Sequence, residues 1–424
     1  IDVFQELKKR YGGDKANDKL GARPGEFPDP VHALQVAQID HTPINCLVYD
    51  PVYKKPIKGR LYLTTAMDVV TRMILGYYLS FFKPGFVNAG LCLSHAILPK
   101  EETLKRLNIP GTWPCWGKMQ VLYMDNAKEF RGESMARACK KHRIHRTWRP
   151  RKNPRFSGHI ESFQKTLNEE IHNLPGSTFH NPIQRDNYDS ESTAALTFEE
   201  IEAFIVEFIV NNYHVRAHSQ TKRPPIAMWE EQIVGNKAVA GIGYQDEPDE
   251  KSVKINFLPS FFRSIQNSGV THEGIPYYST ILKPFIKREQ RGRGKKLKEY
   301  EFRWDPRDLS KIHFWHPERK AFEPVELANV EHHNIKTNIW EYKATRQELI
   351  EQGKKEVDSD RIFASIERNN QRERDAVDRK QQEKAQQKKT KLKNSETKSS
   401  KAKVAEQEDD PFAGIDIESI KAFN

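Results

Sequence analysis

Cysteine is nearly absent. The four in 424 residues, Cys46, Cys92, Cys115 and Cys139, stand far apart, with no Cys-x-x-Cys pair and no histidine at zinc-finger spacing beside them. That pattern excludes a disulfide scaffold and a structural zinc site, and reads as reduced, mostly buried thiols of an intracellular protein. Long apolar runs are also missing: nothing approaches the roughly 18 residues of a membrane span. The opening, Ile1 to Arg10, lacks the basic-then-apolar order of a secretory signal. A membrane span and Sec export are therefore not expected. The chain opens at Ile1 in mid-amphipathic sequence, so a preceding region is expected. Internal repeats are lacking, and negative charge is in deficit. Against 69 Lys+Arg there are 58 Asp+Glu, a net charge of +11 and a pI near 9.2, which favours a polyanionic partner, nucleic acid first.

What is present divides by composition. Residues 1–30 are rich in Gly, Pro, Asp and Lys and read as a lead-in linker. From 31 to 230 the patterns alternate as strands near 36–49, 60–68, 72–82, 120–125 and 143–148 and helices near 86–98, 132–142, 159–173 and 198–213. This is the layout of an α/β domain with a mixed five-stranded sheet and flanking helices. The four residues Asp68-Val69-Val70-Thr71 are short enough for an antiparallel hairpin, and Thr197-Phe198-Glu199-Glu200 is a capping box. Residues 231–250 read as a linker, and 251–330, with short strands such as Glu301–Trp304 and Ile312–Trp315, as a small β-barrel. Residues 331–404 form a charged helical or flexible tether, carrying 12 Lys/Arg and 5 Asp/Glu over 371–404. Residues 405–424, with 6 Asp/Glu and 1 Lys, form an acidic-amphipathic tail bearing Phe412, Ile415, Ile417 and Phe423.

Three carboxylates fall where such a topology gathers them: Asp40 inside the first strand, Asp125 at the end of the fourth, and Glu161 on the helix after the fifth. Carboxylates held at the ends of buried strands require a cation, and hard oxygen ligands suit Mg²⁺ or Mn²⁺. On the same helix Ile160, Phe163, Leu167 and Ile171 form a core stripe, with Lys165 and Asn168 as polar groups for a phosphate backbone. Arg143, Arg146, Arg149, Arg151, Lys152 and Arg155 follow one another with no acid among them, ahead of Glu161. A second basic loop holds Arg291, Arg293, Lys295 and Lys296. Both are candidate DNA grips. Trp148 is a candidate base-stacking group, and Asp68 is expected to bond its own turn rather than a metal.

Asp40, Asp125 and Glu161, with 84 and 35 residues intervening, resemble the DDE triad of retroviral-integrase-like transposases. The surrounding words match as well: Ile39-Asp40-His41-Thr42, Ala66 to Arg72, Asp125 to Phe130, Ser157 to Phe163, and Tyr213 to Ser219 with Trp229. Trp304-Asp305-Pro306-Arg307-Asp308-Leu309-Ser310-Lys311-Ile312 resembles the barrel that follows this core in transposases of the TnsB/TniA/MuA type, TnsB above all. The resemblance implies an RNase H-like core and two metal ions per site. It implies hydrolysis at transposon 3′ ends, and then strand transfer of the freed 3′-OH into target DNA. Asp40 would bridge the two ions, and Asp125 and Glu161 would each bind one. It further implies an N-terminal DNA-binding region from which residues 1–30 lead, transposon-end and target DNA as substrates, a homo-oligomer on paired ends, a TnsC-like AAA+ ATPase engaged by the tail, and a bacterial, nucleoid-associated cytoplasmic location. Two alternatives stay open: an integrase or nuclease of the same fold without ATPase-directed targeting, and a catalytically silent DNA-binding scaffold.

Overall fold

Strand β1 (Val36–Ile44), buried over its first four residues, is the middle strand of the main sheet. β2 (Leu61–Asp68) runs antiparallel to it and β3 (Ile74–Ser80) antiparallel to β2. On the other side β4 (Val121–Met124) lies parallel to β1, and β5 (His145–Trp148) parallel to β4. The order β3-β2-β1-β4-β5, three antiparallel strands continued by two parallel ones, is the RNase H-like arrangement. The computed structural model describes residues 30–51, 53–57, 59–124, 133–148, 158–177, 194–219, 221–289, 297–335, 337–353, 358–372 and 374–375.

Helices cover both faces. α1 (Phe86–Ile97) lies on β3 and β2, so close that a Cβ on Gly76 would meet the backbone nitrogen of Ala96 at 2.5 Å. α2 (Glu101–Arg106) is a short helix that the apolar pattern does not announce. α3 (Glu133–Lys141) packs on β5 and α1, and α4 (Gly158–Ile171) packs on β1 and β2. α5 (Phe198–Glu207) begins with the expected capping box, Glu200 N–H donating to Thr197 Oγ1 and Thr197 N–H to Glu200 Oε2. It continues over Phe208–Tyr213 as a π-helical turn, whose wider coil turns Phe208, Ile209 and Val210 all inward.

β3 is an outer strand, yet all seven of its residues are buried, so its unpaired backbone edge needs partners. Side chains supply them. Ile74 N–H donates to His214 Nε2 at 3.0 Å, Tyr77 N–H to His95 Nδ1 at 3.4 Å, and Trp113 Nε1 donates to Ile74 O at 2.7 Å. Both histidines must be neutral to accept. Burial holds His214 down to about 3 and His95 well below its ordinary 6.5. A depressed folded value means stability that is present above about pH 6.5 and lost as pH falls toward 3. His214→Ala, which orphans the Ile74 N–H, is expected to cost about 1–3 kcal/mol at pH 7 and to flatten the acid limb of stability. Urea unfolding at a series of pH values reads both effects, and a variant as stable as the wild type at neutral pH would contradict them.

Beyond the core, α6 (Pro225–Val234) and α7 (Glu250–Phe257) lead into six strands. These are β6 (Ser260–Ser264), β7 (Val270–His272), β8 (Ile275–Tyr278), β9 (Glu299–Asp305), β10 (Asp308–His316) and β11 (Ala321–Leu327), in the order β6-β9-β10-β11-β8-β7. The sheet curls into a nearly closed barrel, its seam drawn together where Phe261 of β6 stacks on His272 of β7 at 3.8 Å. Phe285, Phe302 and Phe314 fill the interior. The Trp304–Ile312 word is the β9–β10 hairpin: Asp305 accepts from Arg307 N–H at 2.9 Å and from its guanidinium at 2.9 and 2.7 Å. α8 (Ile339–Glu351) then crosses back, setting Trp340 among Phe81, Phe82 and Phe198 and pairing Glu348 with Lys55 at 2.7 Å. A second compact unit starts at Asp360; its described part is helical to 372, with Ile362, Phe363 and Ile366 buried. All four cysteines are free and buried. No helix among the described residues is long and apolar enough to cross a membrane.

Candidate active site

Asp40 is half-buried on β1, where its Oδ1 accepts from the His41 N–H at 2.9 Å. Strand alternation puts Asp40 and Thr42 on one face, and the cross-strand partner of Asp40, Thr65 of β2, shares that face. α4 lies against this face through two polar ties. Asn168 Nδ2 donates to Thr42 Oγ1 at 3.3 Å, and Gln164 Nε2 donates to Thr65 Oγ1 at 3.5 Å. Moving one turn toward the helix N-terminus thus moves from the level of Thr42 to the level of Asp40. Glu161 is three residues before Gln164 and exposed on the first turn of α4. β4 is parallel to β1, pairs Tyr123 with Gln38, and finishes at Met124. Asp125 follows Met124 directly and lies outside the described residues. The core stripe Ile160, Phe163, Leu167 and Ile171 is buried as expected.

The other acidic and basic candidates separate. Asp68 is fully buried and spent on its turn: Oδ1 accepts from Leu34 N–H at 2.8 Å, and Oδ2 from Thr71 N–H at 2.8 Å and Thr71 Oγ1 at 2.7 Å. Burial nonetheless pushes its carboxyl above the usual range. Lys165 is 81% exposed and pairs with Glu169 at 3.9 Å rather than with Glu161. Arg143 is exposed in the turn after α3, with a left-handed φ of 59°. Arg146 lies over the Trp148 ring at 5.4 Å, and Trp148, 38% exposed on the outer strand β5, pairs in register with Met124. His41 bonds Thr64 Oγ1 through Nδ1 at 2.7 Å, and burial holds His159 down to about 4. Arg149, Arg151, Lys152, Arg155, Arg291, Arg293, Lys295 and Lys296 lie outside the described residues, as do Asn126, Phe412, Ile415, Ile417 and Phe423. Among the described residues no three His, Cys, Asp or Glu side chains gather as metal ligands.

Sequence patterning missed the anchors. Asn168 read as a group for a phosphate backbone and Gln164 drew no reading, but their amide nitrogens pin α4 to the sheet. The available signal was a polar residue beside each of Phe163 and Leu167, facing a strand whose Thr42 and Thr65 offer hydroxyls.

The strand order defines an RNase H-like fold, followed by a small barrel. Residues 38–176 match the model of the TnsB C-terminal domain, and residues 254–322 that of the Mu transposase C-terminal domain. The transposase for transposon Tn552 of Staphylococcus aureus is 25% identical over 314 residues, which are 74% of this chain and 56% of the relative. The Tn7 transposition protein TnsB of Escherichia coli is 24% identical over 257 residues, 57% of this chain and 36% of that protein. The chain therefore spans about half of the first relative and about a third of the second. Among solved structures, the simian T-cell lymphotropic virus intasome in complex with a PP2A regulatory subunit aligns at 12% identity and a TM-score of 0.33, covering 59% of this chain and 70% of that one. The HTLV-2 integrase catalytic core in complex with magnesium aligns at 11% and 0.27, covering 47% and 97%. Two segments of the chain are thus similar to transposase domains, and both relatives are transposition proteins.

Proposed function

We propose that this chain is the catalytic part of a DDE transposase. It would cut DNA at transposon 3′ ends and join the freed 3′-OH to target DNA. What supports the reading is that β4 runs parallel to β1 and ends at Met124, while α4, with Glu161 on its first turn, is tied by Gln164 to Thr65, the cross-strand partner of Asp40. The donor set fits two Mg²⁺ or Mn²⁺ ions: hard carboxylate oxygens, one chain position half-buried and one exposed to incoming DNA. Asp40, Asp125 and Glu161 would hold them. When bound, such ions activate the attacking oxygen and offset charge on the scissile phosphate and the leaving 3′-oxygen. The protein's own contribution is placement, with the strands fixing Asp40 and the two amide ties fixing Glu161.

Around that site, Lys165 on α4 and the two basic loops would grip backbone phosphates. The homo-oligomer on paired ends and a TnsC-like ATPase met by the acidic tail belong to the same reading and rest on the TnsB relationship. Lys165→Ala is expected to weaken binding of a DNA end about three- to tenfold and to lower its salt slope by about one, with melting temperature unchanged. An unchanged slope would remove Lys165 from the interface. The reading itself is tested by incubating the protein, with its presumed ATPase partner, with a pre-cut DNA end and a plasmid in Mg²⁺ or Mn²⁺. Covalently joined products are expected. Cleavage without joining would make it a nuclease of this fold, and tight binding without either would make it a scaffold.

A further inference from the structure

Of the ten large apolar side chains exposed among the described residues, four fall within the eleven positions 234–244: Val234, Val239, Ile242 and Tyr244, each close to half exposed or more. The stretch after α6 was expected as a linker, yet its backbone folds back as a fixed tongue. Asn236 N–H donates to Val239 O at 2.8 Å, and Ile242 N–H and Gly243 N–H return to Gln232 O and Ile233 O of α6, each at 2.9 Å. Beyond it Gln245 clasps both backbone groups of Lys118, accepting from its N–H at 2.8 Å and donating to its carbonyl at 2.9 Å. The Tyr244 ring stacks on Trp116 at 6.2 Å. Gln232 also accepts from Ala33 N–H at 3.3 Å, which sets the exposed Val31 at the margin of the same patch. Single apolar side chains are ordinary on a surface, whereas a contiguous set on an ordered backbone marks a docking face. The patch lies where Leu34 and Lys118 precede the parallel strands β1 and β4, at the other end of β4 from Met124.

Its charge departs from that of the chain. Asp246, Glu247, Asp249 and Glu250 follow the tongue, all exposed, against the tongue's one cation, Lys237, on a protein of net charge +11. Glu250 pairs with Lys254 and Asp249 caps α7 through Ser252 N–H, which leaves Asp246 and Glu247 without an ion pair among the described residues. A surface of this sign repels a nucleic-acid backbone and suits a partner that is apolar and basic. Such a segment is already tethered beside it. Residues 1–29 lie outside the described residues, and the chain enters the structure at Pro30, next to Val31. In their sequence Ile1, Phe4, Leu7 and Tyr11 recur at three- and four-residue spacing, and Lys8-Lys9-Arg10 stand together. Residues 12–30 span up to about 60 Å when extended, so residues 1–11 reach any part of the patch, at the high local concentration that a tether confers. We infer that residues 1–11 dock on this patch of their own chain, their apolar side chains covering Val239, Ile242 and Tyr244 and their basic run facing Asp246 and Glu247. Docking fixes the path of the lead-in at the end of the strands away from Met124, and it stands independently of the transposase reading.

The test is photo-crosslinking in the full chain, with p-benzoylphenylalanine in place of Phe4. On illumination it should crosslink to peptides containing Trp116 or residues 234–244, in a species of monomer mass. Ile242→Ser combined with Tyr244→Ser should lower that yield about tenfold, with the fold intact by circular dichroism. At low salt, Lys9→Glu and Glu247→Lys should each lower it about two- to fivefold and should restore it when combined, a rescue that a folding defect cannot give. Crosslinks elsewhere or none, or a yield indifferent to all four substitutions, would overturn the inference. Crosslinks to the tongue in a species of dimer mass would overturn it as well, and would make the patch an interface between copies of this chain.

Discussion

Glu161→Gln is expected to abolish end joining, by at least about a hundredfold, while leaving the protein folded and able to bind a DNA end. The substitution keeps size and hydrogen-bonding capacity and removes only charge. Glu161 sits exposed on the first turn of α4, so no buried partner is orphaned by the change. Its position is set from elsewhere, by Gln164 on Thr65 and Asn168 on Thr42. A loss of joining at unchanged melting temperature and unchanged DNA affinity therefore reports chemistry rather than stability. Joining within about threefold of the wild type would mean that the carboxylate takes no part in the reaction.

Glu202→Ala should cost about 3 kcal/mol of stability. The carboxylate of Glu202 on α5 takes both terminal nitrogens of Arg106 from α2, each at 2.8 Å, and the Tyr77 hydroxyl from β3, also at 2.8 Å. Arg106 is half exposed, which discounts its share through solvent screening. The Tyr77 hydroxyl is enclosed and would be orphaned. Glu202→Gln keeps an acceptor for Tyr77 and should cost roughly half as much. Chemical denaturation midpoints distinguish the two variants, and a shift worth less than about 0.5 kcal/mol in Glu202→Ala would show that the three elements are held together by packing alone.

The five core strands and the helices over 86–97, 133–141, 158–171 and 198–207 were legible because each carries a strong local signature. Examples are the unbroken apolar runs of β2 and β3 and the capping box at Thr197. The barrel was legible from short strands and from the Trp304–Ile312 word, whose turn chemistry is local to Asp305 and Arg307. The π-helical turn over Phe208–Tyr213 was not, because its wider coil serves burial of Phe208, Ile209 and Val210 against distant elements. Nor were the side chains that close the β3 edge. His214 is 140 residues from Ile74 in sequence, and no pattern along a chain reports a pairing across that distance. At the site, Asp40 and Glu161 stood out by the company they keep in sequence. What ties the helix bearing Glu161 to the sheet is the pair of amide donors on α4, and these depend on sheet register, which brings Thr65 opposite Asp40.

The central claim is that Asp40, Asp125 and Glu161 surround one metal-binding centre, and oxidative mapping reads this without requiring activity. Fe²⁺ substituted for Mg²⁺ in the presence of ascorbate and peroxide generates radicals that cut the polypeptide within a few ångströms of the bound ion. The account predicts three cuts of comparable yield, near residues 40, 125 and 161, all suppressed by excess Mg²⁺ and all lost together in Asp40→Asn. Cuts confined to one of these segments, or a pattern unchanged by Asp40→Asn, would contradict it.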